Sequence, residues 1–181
     1  MCNGKSNTIE DMVYQYARKI ENEDAITALN ELKSKLYQYY PDYNTFESNF
    51  ILLGWSHRAK SYKTSSRKKE VQYLLSGIEE HYLASNQELT VHKFSIEHIA
   101  NDDGSDNHCM IGNLLMLAEP INGGAADKTY IEKIPYYKRS NFISTQKFVE
   151  HYGSLVDWPD SNIINRGKHM AKLAYDRIWK L

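Results

Sequence analysis

The first part of the chain carries apolar residues at steps of three and four, the spacing of a helix with one buried face. Residues 8–20 and 26–40 each show such a stripe, and Pro41 ends the second because proline disfavours helical backbone in the residue before it. Two consecutive amphipathic helices predict a helical hairpin over residues 8–40. The run 44–55 holds enough apolar residues for a third, buried helix.

The centre of the chain changes period. Residues 91–100 alternate and are rich in β-forming side chains, and residues 108–118 form a second apolar run of strand length. The Asn, Asp and Gly residues of 101–107 predict a turn between them. Helical spacing occupies 70–84 before this pair and roughly 160–180 after it. We therefore expect a mostly helical α+β fold that contains one β-hairpin.

Composition places the chain among globular proteins, with 41% hydrophobic and 25% charged residues in a length of 181. The 22 Lys and Arg against 23 Asp and Glu leave a formal net charge of -1. This balance disfavours a protein that coats nucleic acid through bulk charge, but it is compatible with a nuclease that has a local basic groove. No apolar run approaches the roughly 18 residues that span a bilayer, and the N-terminus lacks an apolar signal core. We expect a soluble, cytoplasmic protein without a membrane partner.

One segment, residues 57–69, is locally basic. Six of its thirteen residues are Lys or Arg, interleaved with Ser and Tyr. A solvated loop is one interpretation of this segment, and an arm that contacts phosphate is the other.

The central unit concentrates polar side chains that suit metal-assisted hydrolysis. Glu97 and His98 are adjacent at the end of the first strand, where a frayed end would let both side chains turn toward one site. Asn113 interrupts the second apolar run, and Asn122 lies beside two glycines. Carboxylate and amide oxygens suit Mg²⁺ or Mn²⁺, and a neutral imidazole nearby can deprotonate water. A lone histidine is more often structural, so the order and spacing of the whole set decide the interpretation.

The order of these motifs resembles the HNH (His-Me finger, ββα-metal) nucleases, in particular the C-terminal HNH domain of GmrSD-type restriction enzymes and their stand-alone relatives. The resemblance covers roughly residues 45–181 and leaves 1–44 as an N-terminal helical extension. It implies a ββα-metal hairpin-helix core at about 91–135, surrounded by helices. The matching pieces are Glu97-His98-Ile99, Gly112-Asn113-Leu114, Asn122, Lys128, Glu132-Lys133, Tyr136-Tyr137, Trp158 and Ile163 to Arg166.

The resemblance also implies a role for each matching residue. His98 corresponds to the general base, and Glu97 and Asn122 to the ligands of one divalent ion. Asn113 corresponds to the asparagine that ties the loop together and helps to orient the base. Basic residues are expected to contact phosphate, namely Lys128, Arg139 and Arg166.

The resemblance implies a divalent ion, for which Mg²⁺ is the first candidate. Mn²⁺, Ni²⁺ and Zn²⁺ are also found in the superfamily. Cys2 and Cys109 alone cannot form the four-cysteine zinc site that many HNH proteins carry, so we expect no structural zinc. The chain also lacks the proline that often follows the catalytic histidine, because Ala100 and Asn101 stand there.

The leading hypothesis is a metal-dependent endonuclease that hydrolyses DNA, acting in restriction and anti-phage defence. Near-zero net charge predicts that a protein partner supplies much of the affinity or targeting, and the lack of a P-loop motif places any NTP-driven step on another polypeptide. The resemblance implies that this partner is an ATPase or sensor subunit. A homodimer through residues 8–40 is also possible on their apolar stripe. The alternative is a non-catalytic nucleic-acid-binding or assembly module that retains the ββα scaffold. A histidine-dependent phosphatase has little support, since no Arg-His-Gly phosphate motif is present.

Overall fold

The structure is a computed structural model that describes residues 6–22, 24–83 and 93–180. Within these ranges the chain forms nine α-helices and two β-strands. In chain order they are α1 (Ser6–Asn22), α2 (Ala25–Tyr37), α3 (Tyr43–Phe50), α4 (Ser65–Leu83), β1 (Ser95–His98), α5 (Asp106–Cys109), β2 (Leu114–Leu117), α6 (Glu119–Ala125), α7 (Tyr130–Tyr137), α8 (Ile143–Tyr152) and α9 (Asp160–Leu173). A 3₁₀ turn, Ile111–Asn113, precedes β2, and a π-helical turn, Ala174–Ile178, extends α9.

The expected mostly helical α+β fold is confirmed. The two strands pair antiparallel, with Ser95 opposite Leu117 and His98 opposite Leu114. α6 follows β2 directly, so the hairpin and the next helix form one continuous unit.

The second strand is much shorter than the apolar run 108–118 suggested. α5 and the 3₁₀ turn occupy the first half of that run, which places His108 in a helix and Asn113 at the end of the turn. Two backbone hydrogen bonds join this segment to the stretch after α3, from the N–H of Trp55 to the carbonyl of Cys109 and from the N–H of Ile111 to that of Leu53. Residues 91 and 92 of the first expected strand lie outside the described residues.

Close backbone approach explains why the expected helix 44–55 stops early. α3 ends at Phe50, and Gly54 then forms an isolated antiparallel bridge with Met110. A Cβ on Gly54 would overlap the carbonyl oxygen of Cys109, so only glycine allows the two backbone segments to approach this closely. The bridge extends the hairpin region by a short third segment.

Two prolines lie within helices. Pro120 occupies the first turn of α6, where its missing N–H has no helical partner to lose. Pro135 lies inside α7, which ends two residues later at Tyr137. α6 also contains both glycines beside Asn122, so that residue lies within the helix and not at its start.

The hairpin lies between two apolar clusters. Ile96, Leu114 and Met116 pack against α4 and α9 on one face. Leu115 and Leu117 pack against α7 and α8 on the other. Because both faces are covered, β2 consists entirely of apolar residues and does not alternate.

The outer edge of β2 is closed by side chains from two helices. Nη1 of Arg166 donates to the carbonyl oxygens of Gly112 at 2.7 Å and Leu114 at 3.0 Å, and Thr145 Oγ1 donates to that of Met116 at 2.6 Å. The Arg166 side chain is buried, which lowers the pKa of its guanidinium to about 10. These bonds satisfy strand carbonyls that would otherwise be unpaired in the interior.

α1 and α2 pack against each other as the expected helical hairpin, and Glu31 on α2 accepts hydrogen bonds from Tyr16 and Lys19 on α1. Apolar side chains such as Ile26 and Leu29 remain exposed on it. Dimer formation through this surface stays a prediction. In the described ranges, no helix has the length and apolar character needed to cross a bilayer.

We predict that Gly112→Ala destabilises the protein by about 2–4 kcal/mol, because helix α9 crosses the 3₁₀ turn at backbone distance. A Cβ on Gly112 would overlap the carbonyl oxygen of Ile163 and lie 2.9 Å from the backbone nitrogen of Gly167. Urea unfolding of the purified protein measures the change.

Gly123→Ala is the matched control. Nothing lies within 4 Å of a Cβ on Gly123, and alanine favours the helical backbone by up to about 1 kcal/mol over glycine. Equal stability of the two variants would contradict the close crossing.

Candidate functional site

Asn113 closes the loop that joins β1 to β2. Its Oδ1 accepts from the backbone N–H of Ala100 at 2.8 Å, and its Nδ2 donates to the carbonyl oxygens of Ala100 and His108, both at 2.8 Å. The side chain is fully buried. These contacts agree with the loop-tying role that the resemblance implied for this residue.

His98 points toward the segment after α3. Its Nε2 lies 2.9 Å from the carbonyl oxygen of Trp55. A carbonyl oxygen only accepts, so Nε2 carries a proton and, in the neutral ring, the lone pair is on Nδ1. No described residue forms a hydrogen bond with Nδ1. Burial lowers the pKa of His98, partly opposed by the Trp55 carbonyl and Asp102, and this favours the neutral ring.

Asp102 is a site residue that reasoning from the sequence missed. Its carboxylate accepts from Ser56 Oγ at 2.8 Å and from the backbone N–H of His57 at 2.6 Å, and lies 4.0 Å from Nε2 of His98. Burial raises the pKa of Asp102, but these hydrogen bonds outweigh it and leave the pKa below its ordinary value. The carboxylate therefore remains charged and turns inward. Only its position four residues after His98 could have signalled this contact.

Glu97 lies on the opposite face of β1 from His98. Its Oε1 is 2.9 Å from Nζ of Lys133 and accepts from the hydroxyl of Tyr137 at 2.9 Å. Burial raises the pKa of Glu97, and Lys133 and Tyr137 oppose that shift. The expectation that Glu97 and His98 both turn toward one site is therefore wrong, because both residues are paired in the strand and its pleat separates them.

Lys133 connects the two faces of the strand end. Besides its ion pair with Glu97, its Nζ donates to the carbonyl oxygen of His98 at 2.6 Å. The Lys133 side chain is 1% exposed, so both contacts are made in the interior. The sequence identifies this lysine only as part of the family pattern and predicts no role for it.

The residues on the Glu97 face have the donor chemistry of a divalent-ion site. Asn122 reaches β1 from α6, where its Nδ2 lies 3.4 Å from the carbonyl oxygen of Ile96. Only Oε1 of Glu97 is engaged by described side chains, which leaves Oε2 as a free oxygen donor together with Oδ1 of Asn122. Mg²⁺ typically takes one or two protein oxygens and keeps several waters. The pair fits such an ion, although no three His, Cys, Asp or Glu of the described chain group around one.

The three expected phosphate contacts lie in different surroundings. Lys128 and Arg139 both lie beside the ring of Tyr136, at 5.7 and 6.0 Å from its centroid. Arg166 is 8% exposed and its Nη1 binds backbone carbonyls, so its position is that of a structural residue. The expectation of a surface phosphate contact at Arg166 is not supported, because the helix buries the side chain against β2.

The basic segment 57–69 lies beside His98. Nζ of Lys68 lies 4.9 Å above the ring of Trp55, whose carbonyl holds His98. Within the described residues none of the six Lys and Arg of this segment forms an ion pair. Its charge is therefore available to an anion.

His108 has no carboxylate adjacent to it in the sequence, where Asn107 and Cys109 flank it. The structure places two carboxylates beside it in space, Asp103 at 3.1 Å from Nδ1 and Asp160 at 3.5 Å from Nε2. Both ring nitrogens face acceptors, which makes His108 a link between the loop and α9.

A family model described as "GmrSD restriction endonucleases, C-terminal domain" matches residues 53–173, more than half of the chain. The match begins beside Trp55 and ends within α9, so it contains the site. Neither a curated protein nor a solved structure matches the chain.

We predict that Lys133→Met lowers the free energy of unfolding by about 3–5 kcal/mol, because it leaves Glu97 buried without a partner charge. The pKa of Glu97 then rises further, so the folded state loses stability as the pH rises through that higher pKa. The deficit relative to wild type should be smaller at about pH 5 than at about pH 8. Denaturant unfolding at both pH values measures it.

The double variant Glu97→Gln/Lys133→Met removes both charges and should recover most of the lost stability. A deficit that is the same at both pH values, or that persists in the double variant, would contradict the buried ion pair.

Proposed function

The chain belongs to the family of GmrSD restriction endonuclease C-terminal domains, and we propose that it hydrolyses phosphodiester bonds of DNA with His98 as the general base. The observation that carries this proposal is the hydrogen bond from Nε2 of His98 to the carbonyl oxygen of Trp55. It fixes the tautomer that presents a free lone pair on Nδ1.

In the proposed reaction, Nδ1 of His98 takes a proton from a water molecule as the water oxygen attacks phosphorus. The bond between phosphorus and the leaving oxygen breaks in the same displacement. The positive charge that forms on the ring is stabilised by the Trp55 carbonyl on Nε2–H and by Asp102 at 4.0 Å. Such a base contributes typically 10²–10⁴-fold, by order of magnitude.

The basic segment 57–69 supports a polyanionic substrate. Within the described residues its six cations form no ion pairs, and the segment begins at His57 beside His98 and brings Lys68 above Trp55. Cations that contact phosphates release the counterions of the nucleic acid and thereby supply affinity that does not depend on sequence. Of the two interpretations of this segment, the phosphate-contacting arm is the one that its position favours.

Glu97 and Asn122 would hold the divalent ion, Mg²⁺ in the first place, through Oε2 and Oδ1. Lys133 and Tyr137 orient the Glu97 carboxylate from behind by binding Oε1. When bound, such an ion neutralises charge on the phosphate and on the leaving oxygen. The ion face and the base face are separate in the strand, so the substrate must reach both around the end of the hairpin.

Membership of this family supports a role in restriction. Action in anti-phage defence, with a partner subunit that supplies targeting, is part of the same proposal. The alternative, a non-catalytic module on the same scaffold, predicts no hydrolysis by any variant.

We predict that His98→Ala lowers the rate of nicking of supercoiled plasmid by about 10²–10⁴-fold, because the base is lost. His151→Ala, a substitution of an exposed histidine on α8, should cleave at the wild-type rate and is the matched control. Thermal unfolding verifies that both variants are folded. Equal nicking by His98→Ala and wild type would eliminate His98 as the base.

We predict that Asn122→Ala weakens Mn²⁺ binding at least about tenfold, because an oxygen donor to the ion is removed. Electron paramagnetic resonance of the free ion measures the affinity without reference to activity. Asn101→Ala, which removes an exposed amide that donates only to the Asp127 carbonyl, is the control. Unchanged binding in Asn122→Ala would place the ion elsewhere.

A further inference from the structure

A second histidine lies beside the proposed base. The ring of His57 is 6.4 Å from that of His98, measured between centroids, and 4.2 Å from that of Trp55. His57 is exposed, whereas His98 is buried. The two imidazoles are 41 positions apart in the chain, and the sequence offered no signal that they meet.

The backbone fixes the position of His57. Its N–H donates to Asp102, and the adjacent Ser56 hydroxyl donates to the same carboxylate while accepting from the N–H groups of Arg58 and Ala59. None of these bonds uses the imidazole of His57. The ring therefore lies at a defined place next to His98, and no residue that the structure describes forms a hydrogen bond with its nitrogens.

Resting on the proposed function, we infer that His57 is the general acid of the same reaction and protonates the leaving oxygen. The water oxygen forms a bond to phosphorus and gives its proton to Nδ1 of His98. The bond from phosphorus to the leaving oxygen breaks, and that oxygen takes a proton from the His57 imidazolium. One histidine gains the proton that the other loses, and exchange with solvent restores both.

The separation of the rings suits this division of labour. The attacking and leaving oxygens of a phosphate in transition lie roughly 3–4 Å apart, and each needs a hydrogen bond of about 2.8 Å to its histidine. Two ring nitrogens on either side of one phosphate are therefore up to roughly 8–9 Å apart, and less when the path is bent. A centroid distance of 6.4 Å permits one phosphate to be held between His57 and His98.

The surroundings of His57 suit a residue that gives up a proton in the reaction and regains one from solvent between turnovers. The cations beside it, Arg58 in the next position and Lys68 above Trp55, would bind the phosphate whose leaving oxygen His57 protonates. The nearest charged acceptor, Asp102, is occupied by Ser56 and by backbone N–H groups. Because His57 is exposed, it can exchange a proton with solvent directly. His98 is buried and is less accessible to solvent.

The test compares a normal leaving oxygen with one that needs no protonation. A DNA duplex is cleaved at a bond mapped for the wild type, and a second duplex carries sulfur in place of the leaving oxygen at that bond. Because a thiolate leaves without a proton, loss of a general acid harms only the first substrate. His57→Ala should cleave the normal duplex about 10²–10⁴-fold more slowly and the sulfur-containing duplex within about threefold of wild type.

His57→Gln is the second variant. Glutamine can still donate a hydrogen bond to phosphate, but it cannot transfer a proton to the leaving oxygen. It should behave as His57→Ala. Both should unfold at the wild-type temperature, because the contact with Asp102 uses only the backbone of residue 57.

The outcomes separate this inference from the proposed function. Equal losses on both duplexes, or cleavage at the wild-type rate, would overturn the role of His57 as the acid. Rescue by glutamine on the normal duplex would leave only a phosphate contact and would also overturn it. His98→Ala should lose both substrates, and full activity of that variant, or no cleavage by wild type, would instead overturn the proposed function.

Discussion

The geometry of the site depends on a single buried amide. Asn113 makes three hydrogen bonds, all to backbone groups of the loop that begins at Ala100 and reaches His108. A carboxylate cannot donate, an apolar side chain can neither donate nor accept, and a hydroxyl has one proton where this loop takes two donated bonds, so no other small side chain makes all three contacts. Because the loop is closed in this way, Asp102 reaches Ser56 and ties it to a segment some 46 positions earlier in the chain.

Two buried charged assemblies flank the end of β1, and they differ in what they leave free. Glu97 and Lys133 neutralise each other and Tyr137 donates to the same carboxylate, so their main effect is to hold the strand end and one carboxylate oxygen in place. On the other face, His98 meets a carbonyl and a carboxylate but keeps Nδ1 without a described partner. Breaking a buried ion pair lowers the free energy of unfolding far more than breaking an exposed one. The pair of Glu97 and Lys133 therefore stabilises the strand end that also carries His98.

Much of the architecture is readable from local pattern, because helical periodicity and strand length are properties of neighbouring residues. The stripes of α1, α2, α4 and α9 and the identity of the hairpin follow from it. The start of β2 was misread because the apolar run 108–118 bonds to the segment around Gly54, a contact that no local pattern encodes. Arg166 was misread for the same reason, since its carbonyl partners lie 52 to 55 positions away. Asp102 and His57 were missed because their meeting is likewise long-range.

The formal net charge does not describe this surface, because two carboxylates between the strands are engaged by other residues, whereas the cations of segment 57–69 form no ion pair within the described chain. The acidic turn between the strands would repel a duplex if its carboxylates all faced outward. Two of its carboxylates are engaged by the protein itself: Asp102 accepts from Ser56 of the segment after α3, and Asp103 accepts from Ser105 and lies beside His108. The cations of 57–69 have no such partners within the described chain. A chain with a formal net charge of -1 thus presents uncompensated positive charge beside His98, and the field that a nucleic acid meets there is set by this segregation.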